Sequence, residues 1–285
     1  MRLSYQRIGV VGGGQMGAGI AEVAARAGCD VAVREISVDA AEAARTRIEK
    51  SLDRAVQKEK LDDAQAKETI SRLSYTTDLE ELSDRELVIE AVIEDEGLKK
   101  EIFQGLDSVL SGDSVIVSNT SSIPITRLAA VTERPDRVLG LHFFNPVPVM
   151  ALVELVTTVI SDEEIETKVQ EFAEGLGKTV IRAKDRGGFI VNMLLVPYML
   201  GAIRMYESGF ASAEDIDAGM RLGANHPMGP LELSDFVGLD TMKLVADVLF
   251  DEFKEAHYAS PPLLTRMVEA GWLGRKSGRG FYTYE

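Results

Sequence analysis

Through roughly the first two-thirds of the chain, short apolar runs rich in Val and Ile alternate with longer stretches of helical periodicity. That is the rhythm of βαβ units on a parallel sheet. The runs are Ile8 to Val11, Val31 to Val33, Leu87 to Ala91, Val115 to Val117 and Val138 to Leu141. Leu152 to Val156 and Thr179 to Ile181 follow, with the helical segment Asp162 to Phe172 between them, so the sheet is predicted to extend past its fifth strand. After Asp185-Arg186-Gly187-Gly188 the rhythm changes. From Phe189 onward only helical patterns remain, broken at Gly209, Pro227, Gly229-Pro230, Gly238 and Pro261-Pro262. The pattern predicts an α/β, Rossmann-type, doubly wound domain with a mostly parallel sheet over residues 1–184, and an all-helical domain over residues 185–285. A long charged stretch at 38–72 reads as a helical pair inserted after the second strand, an amphipathic arm with a solvated face.

Composition agrees with this picture and narrows the partners. A length of 285 residues accommodates two domains of ordinary size. Hydrophobic residues at 45% and charged residues at 27% exclude a disordered, collagen-like or disulfide-scaffold chain. The net charge of −15 predicts that neither nucleic acid nor an anionic membrane surface is a partner. A single cysteine, Cys29, and the lack of Cys/His spacing for zinc predict no disulfide, no metal and a reducing, cytoplasmic setting. The longest uncharged run, Gly187 to Ile203, has 17 residues and contains Asn192 and Pro197. It reads as a buried helix, being short of the ~20 apolar residues of a membrane span.

Gly12-Gly13-Gly14-Gln15-Met16-Gly17 supplies G-x-G-x-x-G directly after the first apolar run and before the helical pattern Met16 to Ala27. Gly12 permits the tight turn, Gly14 lets backbone approach a pyrophosphate, and Gly17 allows helix to pack on strand, while the helix N-terminus aims its N–H groups at the anion. A glycine-rich turn without a ligand would show the same six residues. Glu35 decides between them: it ends the second apolar run, 21 residues after Gly14, where an acid accepts from the adenosine ribose hydroxyls. NAD is therefore the predicted cofactor, with Arg34 as a residual pointer to NADP.

His142 ends the run Val138 to Leu141, where open parallel sheets place their ligands. Glu154 interrupts Leu152-Val153-Glu154-Leu155-Val156, a segment too apolar for a carboxylate without a partner. If the turn Asn145-Pro146-Val147-Pro148 brings the two runs together, Glu154 orients the imidazole and His142 is a general base. A satisfied core histidine beside a strand-edge glutamate fits the spacing equally well. In Ser118-Asn119-Thr120-Ser121-Ser122-Ile123-Pro124, one hydroxyl is expected to cap the following helix, Ser122 being the candidate, with Ser121 left to donate to a ligand. Asn192, the lone amide of its apolar helix, needs an internal partner, either another helix or a substrate oxygen.

These residues together resemble the L-3-hydroxyacyl-CoA dehydrogenase family, and within it the short bacterial 3-hydroxybutyryl-CoA dehydrogenases. The resemblance spans essentially the whole chain. It is carried by GGGQMGAG (Gly12 to Gly19), SNTSS (Ser118 to Ser122), HFFNPVPVMALVEL (His142 to Leu155), GFIVNMLLVPY (Gly188 to Tyr198), NHPMGPLELSDFVGLD (Asn225 to Asp240) and LGRKSGRGFY (Leu273 to Tyr282). It implies that His142 is the base paired with Glu154, and that Ser121 and Asn192 bind the reacting oxygen. It also implies that Glu35, Glu94, Lys99, Asn145 and Lys276 lie around the NAD, that Ser51 and Lys58 contact the CoA of an acyl-CoA substrate, and that the chain forms a homodimer through its helical domain. Ala151, Arg186-Gly187 and Met193 replace the family's usual Lys, Thr-Pro and Arg, and Glu35 its more frequent Asp. The rival readings are a CoA-independent hydroxy-acid or sugar-acid dehydrogenase of the same fold, and a non-catalytic NAD-binding derivative.

Overall fold

The computed structural model describes residues 3–284. The chain divides into two compact units, residues 1–186 and 187–285.

In the first unit the strands are β1 (Arg7–Val11), β2 (Asp30–Arg34), β3 (Leu73–Thr76), β4 (Leu87–Glu90), β5 (Val115–Ser118), β6 (Val138–Phe143), β7 (Leu152–Thr157) and β8 (Thr179–Lys184). They form one sheet in the order β3-β2-β1-β4-β5-β6-β7-β8. The first six are mutually parallel; β7 runs antiparallel to β6, and β8 is parallel to β7. The central strands are buried along their length, as helices on both faces require, and so read as unbroken apolar runs. Sequence periodicity missed β3. Its four residues, LSYT, sit at the sheet edge with a half-exposed pattern and carry no apolar run.

The helices of this unit are α1 (Gln15–Arg26), α2 (Val38–Gln57), α3 (Asp63–Ser71), α4 (Glu96–Val109), α5 (Ile125–Ala129) and α6 (Glu163–Gly175). The pair α2 and α3 is the charged stretch after β2. It fully buries only Ala41, Ala44, Ile48, Leu52, Ala66 and Thr69; Val56 and Ile70 are partly covered, and most of the remaining surface is polar. Ile20, Ala21 and Ala24 of α1 pack with the sheet residues Ile8, Val10, Val31, Val33 and Leu141 in the main core. The strand order reverses between β1 and β4, and the crevice beyond the carboxyl ends of those strands is where such sheets bind ligands.

The second unit is helical: α7 (Val191–Glu207), α8 (Ala213–Gly223), α9 (Pro230–Val237), α10 (Leu239–Phe253) and α11 (Pro262–Glu269). Leu200, Ile203, Leu231, Leu239, Ala246, Leu249 and Leu264 form its core. Asp235, almost fully buried on α9, accepts from the N–H groups of Phe281 and Tyr282 and from the Tyr284 hydroxyl, tying the C-terminal segment to the bundle. Among the described residues no helix is long and apolar enough to cross a membrane.

Candidate active site

The phosphate turn follows β1. Gly12 has φ +94°, and a Cβ there would lie 2.8 Å from the Ala91 carbonyl oxygen, so only glycine makes this bend. A Cβ on Gly17 would lie 1.7 Å from the Gly12 carbonyl oxygen, which fixes α1 against the turn. Gly14 differs. A Cβ there meets nothing within 4 Å, so the bare backbone faces open space. Gly14 is also the N-cap of α1, which starts without a side-chain cap and without an acid in its first turn. Its N-terminal N–H groups and dipole are therefore available to an anion. Glu35 leans back over this turn, its Oε1 accepting from the Gly13 N–H at 2.6 Å. Glycine cradle, open helix end and a carboxylate over the turn stand together, a set that fits an NAD dinucleotide.

Asn145 meets the same turn from the other side, its Oδ1 accepting from Gln15 Nε2 at 3.1 Å. It sits just beyond β6, at whose end is His142. The antiparallel return of β7 places Glu154 directly opposite His142. Opposed residues of an antiparallel pair share one face, and His142 Nδ1 lies 2.8 Å from Glu154 Oε2. Glu154 is 0% exposed and His142 7%. The Phe144 ring packs against the imidazole at 4.6 Å between centroids. The two runs are thus brought together as the turn between them requires, and the imidazole and the carboxylate are hydrogen-bond partners.

Glu90 at the end of β4, Lys99 on α4 and Glu94 between them organise the 118–122 loop. Glu90 is fully buried; its Oε1 accepts from Lys99 Nζ (2.6 Å) and the Val92 N–H (2.7 Å), and its Oε2 from the Ser118 hydroxyl (2.6 Å). Glu94 Oε1 accepts from the Thr120 hydroxyl (2.6 Å), the Ser121 and Ser122 N–H groups (2.9 and 3.0 Å) and the Ser122 hydroxyl (2.9 Å). The Ser121 hydroxyl reaches the same oxygen at 3.3 Å. Burial alone would raise the Glu94 carboxyl, but Lys99 and the hydrogen bonds from Thr120, Ser122 and Ser121 outweigh it and hold the group below the usual carboxylate range. Asn119 ties this loop to the histidine strand, its Oδ1 accepting from the Phe143 N–H.

One expectation needs correcting. Ser122 does not cap α5; its hydroxyl is spent on Glu94, and the α5 N-terminus is capped by Asp185, whose carboxylate accepts from the N–H groups of Ile125 and Thr126, both at 2.7 Å. Asp185 lies 60 residues from Ile125, so no local pattern reveals it. Glu90 and Asn119 were also missed. The one available signal for Glu90 was a carboxylate inside the apolar run Leu87 to Ala91.

Ser51 and Lys58 line a cavity of about 510 Å³ between α1, α2 and the 145–149 turn. Arg26, Arg47, Lys50, Arg54, Lys58 and Lys60 also line it, six cations against the single carboxylate of Glu22. Glu22 is 1% exposed, and burial holds its carboxyl above the usual range, against the pull of Ser51 and Arg26. In the second unit, Asn192 is half-buried in the first turn of α7, and Lys276 is exposed and ion-paired with Asp240. Among the described residues no group of three His, Cys, Asp or Glu is placed to hold a metal ion.

The sequence model of the 3-hydroxyacyl-CoA dehydrogenase NAD-binding domain matches residues 7–186, and that of the 3-hydroxyacyl-CoA dehydrogenase C-terminal domain matches residues 188–284. A 3-hydroxybutyryl-CoA dehydrogenase of Mycobacterium tuberculosis is 61% identical over 283 residues, 99% of each chain. Among solved structures, M. tuberculosis FadB2 superposes with a TM-score of 0.97 at 60% identity, covering 99% of both chains. The (S)-3-hydroxybutyryl-CoA dehydrogenase PaaH1 of Ralstonia eutropha gives 0.94 at 44% identity, again over 99% of both. Full-length matches of this kind, on a fold that carries the glycine turn and the His–Glu pair, leave one placement: the chain belongs to the 3-hydroxyacyl-CoA dehydrogenase family.

Proposed function

We propose that the chain is an NAD-dependent 3-hydroxyacyl-CoA dehydrogenase that interconverts a short (3S)-3-hydroxyacyl-CoA, foremost 3-hydroxybutyryl-CoA, with its 3-ketoacyl-CoA. The observation that carries this is the buried His142–Glu154 pair, set at the end of β6 next to a phosphate turn built for a dinucleotide.

NAD, when bound, supplies the acceptor for the hydride from C3. The other half of the reaction is a proton, and it falls to His142. With Nδ1 engaged by Glu154, Nε2 takes the 3-hydroxyl proton as the C–O bond becomes a carbonyl. Glu154 fixes the tautomer and stabilises the imidazolium that results. The Ser121 hydroxyl donates to the reacting oxygen, the kind of contact whose loss costs about 2.7–4 kcal/mol in the transition state. The resemblance assigns Asn192 to the same oxygen and Lys276 to the cofactor. In the reverse direction His142 returns the proton and the same donors hold the carbonyl.

The cationic cavity at Ser51 and Lys58 favours CoA over a free hydroxy acid, because a 3′-phosphoadenosine diphosphate brings several negative charges to one place. The replacements Ala151 and Met193 remove cations usual in the family, and they bear on acyl preference. A homodimer through the helical unit is supported by its bare apolar side chains, Leu194 at 72%, Phe210 at 78% and Leu222 at 87% exposure. A cytoplasmic setting fits a sole cysteine that is buried and whose thiol burial pushes up to about 12.

The test is NADH oxidation with acetoacetyl-CoA against free acetoacetate, with NADPH in parallel. Turnover with the thioester and NADH, and little with the other combinations, is expected. Equal turnover on the free acid would establish the CoA-independent rival, and no turnover at all the non-catalytic one.

A further inference from the structure

We infer that Lys99, together with Glu90, is a positioning pair that sets the Ser121 hydroxyl through Glu94. This rests on the reading that Ser121 holds the reacting oxygen.

Lys99 is 1% exposed and its Nζ lies among protein oxygens: Glu90 Oε1 at 2.6 Å, the Val92 carbonyl at 3.4 Å and Glu94 Oε2 at 3.5 Å. Burying an amine between carboxylates is a poor way to gain stability, because desolvation offsets most of the attraction and an apolar pair of similar size serves as well. What the charges do add is fixed geometry. One ammonium group draws together the end of β4 through Glu90, the loop after it through Glu94, and its own helix α4. The two carboxylates then divide the 118–122 loop between them. Glu90 takes the Ser118 hydroxyl, whose oxygen in turn accepts from the Thr120 N–H at 3.2 Å; Glu94 takes the next three residues.

The load on Glu94 explains why Ser121 is the donor that works on substrate. Five donors converge on Oε1, more than the lone pairs of one carboxylate oxygen satisfy well. Four contacts lie between 2.6 and 3.0 Å; the Ser121 hydroxyl, at 3.3 Å, is the weakest. It is the one that leaves at least cost when a substrate oxygen is offered, while the Ser121 N–H stays anchored and keeps the side chain in place. Lys99, on the other oxygen, fixes the direction in which Glu94 presents this crowded edge.

Replacing Lys99 alone strands Glu90 as a buried charge, so Lys99→Met is paired with the double variant Lys99→Met/Glu90→Gln, which removes both charges. In the double variant we expect a melting temperature near that of the parent and kcat at saturating NADH and acetoacetyl-CoA reduced by about tenfold to a hundredfold, the size of effect that a displacement near 1 Å brings. We further expect that adding Ser121→Ala to it costs much less than Ser121→Ala costs the parent, since both changes act on one hydroxyl. Parental kcat in the double variant would show that the pair only holds the fold. A raised NADH Kd with unchanged kcat at saturation would show that the pair serves the cofactor site and does not set Ser121. Full additivity of Ser121→Ala would overturn the link between them. If Ser121→Ala in the parent leaves kcat unchanged, the functional reading of Ser121 fails, and that single variant isolates its failure from that of the positioning pair.

Discussion

Two glycines three residues apart in the phosphate turn, Gly14 and Gly17, respond to one methyl group in opposite ways. At Gly17 the added carbon has no room, being placed 1.7 Å from a carbonyl oxygen. Gly17→Ala is expected to destabilise the first unit by about 3 kcal/mol, the upper range for overpacking, and to lower the melting temperature. At Gly14 the carbon enters open space, so Gly14→Ala leaves the melting temperature unchanged and weakens NADH binding by tenfold or more, measured by fluorescence titration. His142→Gln is expected to lose turnover by a factor of about 10² to 10⁴, the range for general base catalysis, with NADH binding retained. Glu94 carries a pH signature. Its carboxyl is depressed in the folded state, so its contribution is present above the ordinary carboxylate value near ~4.3 and is lost as pH falls through the depressed one. Glu94→Gln should therefore cost about 2 kcal/mol at pH 7, the worth of hydrogen bonds to a charged group. The gap in urea midpoint between it and the parent should narrow as the pH is lowered below about 4.

At the scale of elements, α5 shows how a very short helix is kept. Five residues do not sustain a helix in water. Asp185 supplies what propensity does not, accepting both first N–H groups and the Thr126 hydroxyl. Asp185→Ala is expected to cost about 1–2 kcal/mol, the value of a strong N-cap, seen as a lower melting temperature and as faster amide exchange at Ile125 and Thr126. The same contrast explains what was legible in the sequence. Gly12, Gly14, Gly17 and Glu35 are read because their chemistry is local: a turn, a helix end and a strand end within 24 residues. His142 and Glu154 are read as candidates because polar side chains stand out in apolar strands. The Asp185 cap and the Glu90–Lys99 pair are not, since each depends on elements that only the folded sheet brings side by side. Strand β3 is hidden for another reason: an edge strand with an open face carries too little apolar pattern to announce itself.

For the molecule as a whole, the net charge of −15 and a preference for anionic ligands are reconciled by distribution. On the function proposed above, the cofactor is met by backbone N–H groups, which leave no trace in a charge count, and the cavity proposed for CoA gathers six cations onto α1, α2 and the turn after α2. Charges beyond the Debye length of ~10 Å at 0.1 M salt are largely screened, so the local set prevails over the average surface. Arg54→Ala and Lys58→Ala are each expected to raise KM for acetoacetyl-CoA several-fold with kcat and the KM for NADH little changed, and initial-rate kinetics in both substrates would check it. The one reversal of strand direction in the sheet, between β6 and β7, has a further consequence. Because side chains alternate along a strand, the pairing of His142 with Glu154 depends on the parity of their connection as well as on the two residues. Deleting a single residue from the 146–150 segment, if β7 slips by one, brings Val153 or Leu155 opposite the imidazole and turns the carboxylate to the other face. The length of that loop is thus itself a dimension of the proposed site, and a change of length by an odd number of residues is expected to separate the pair.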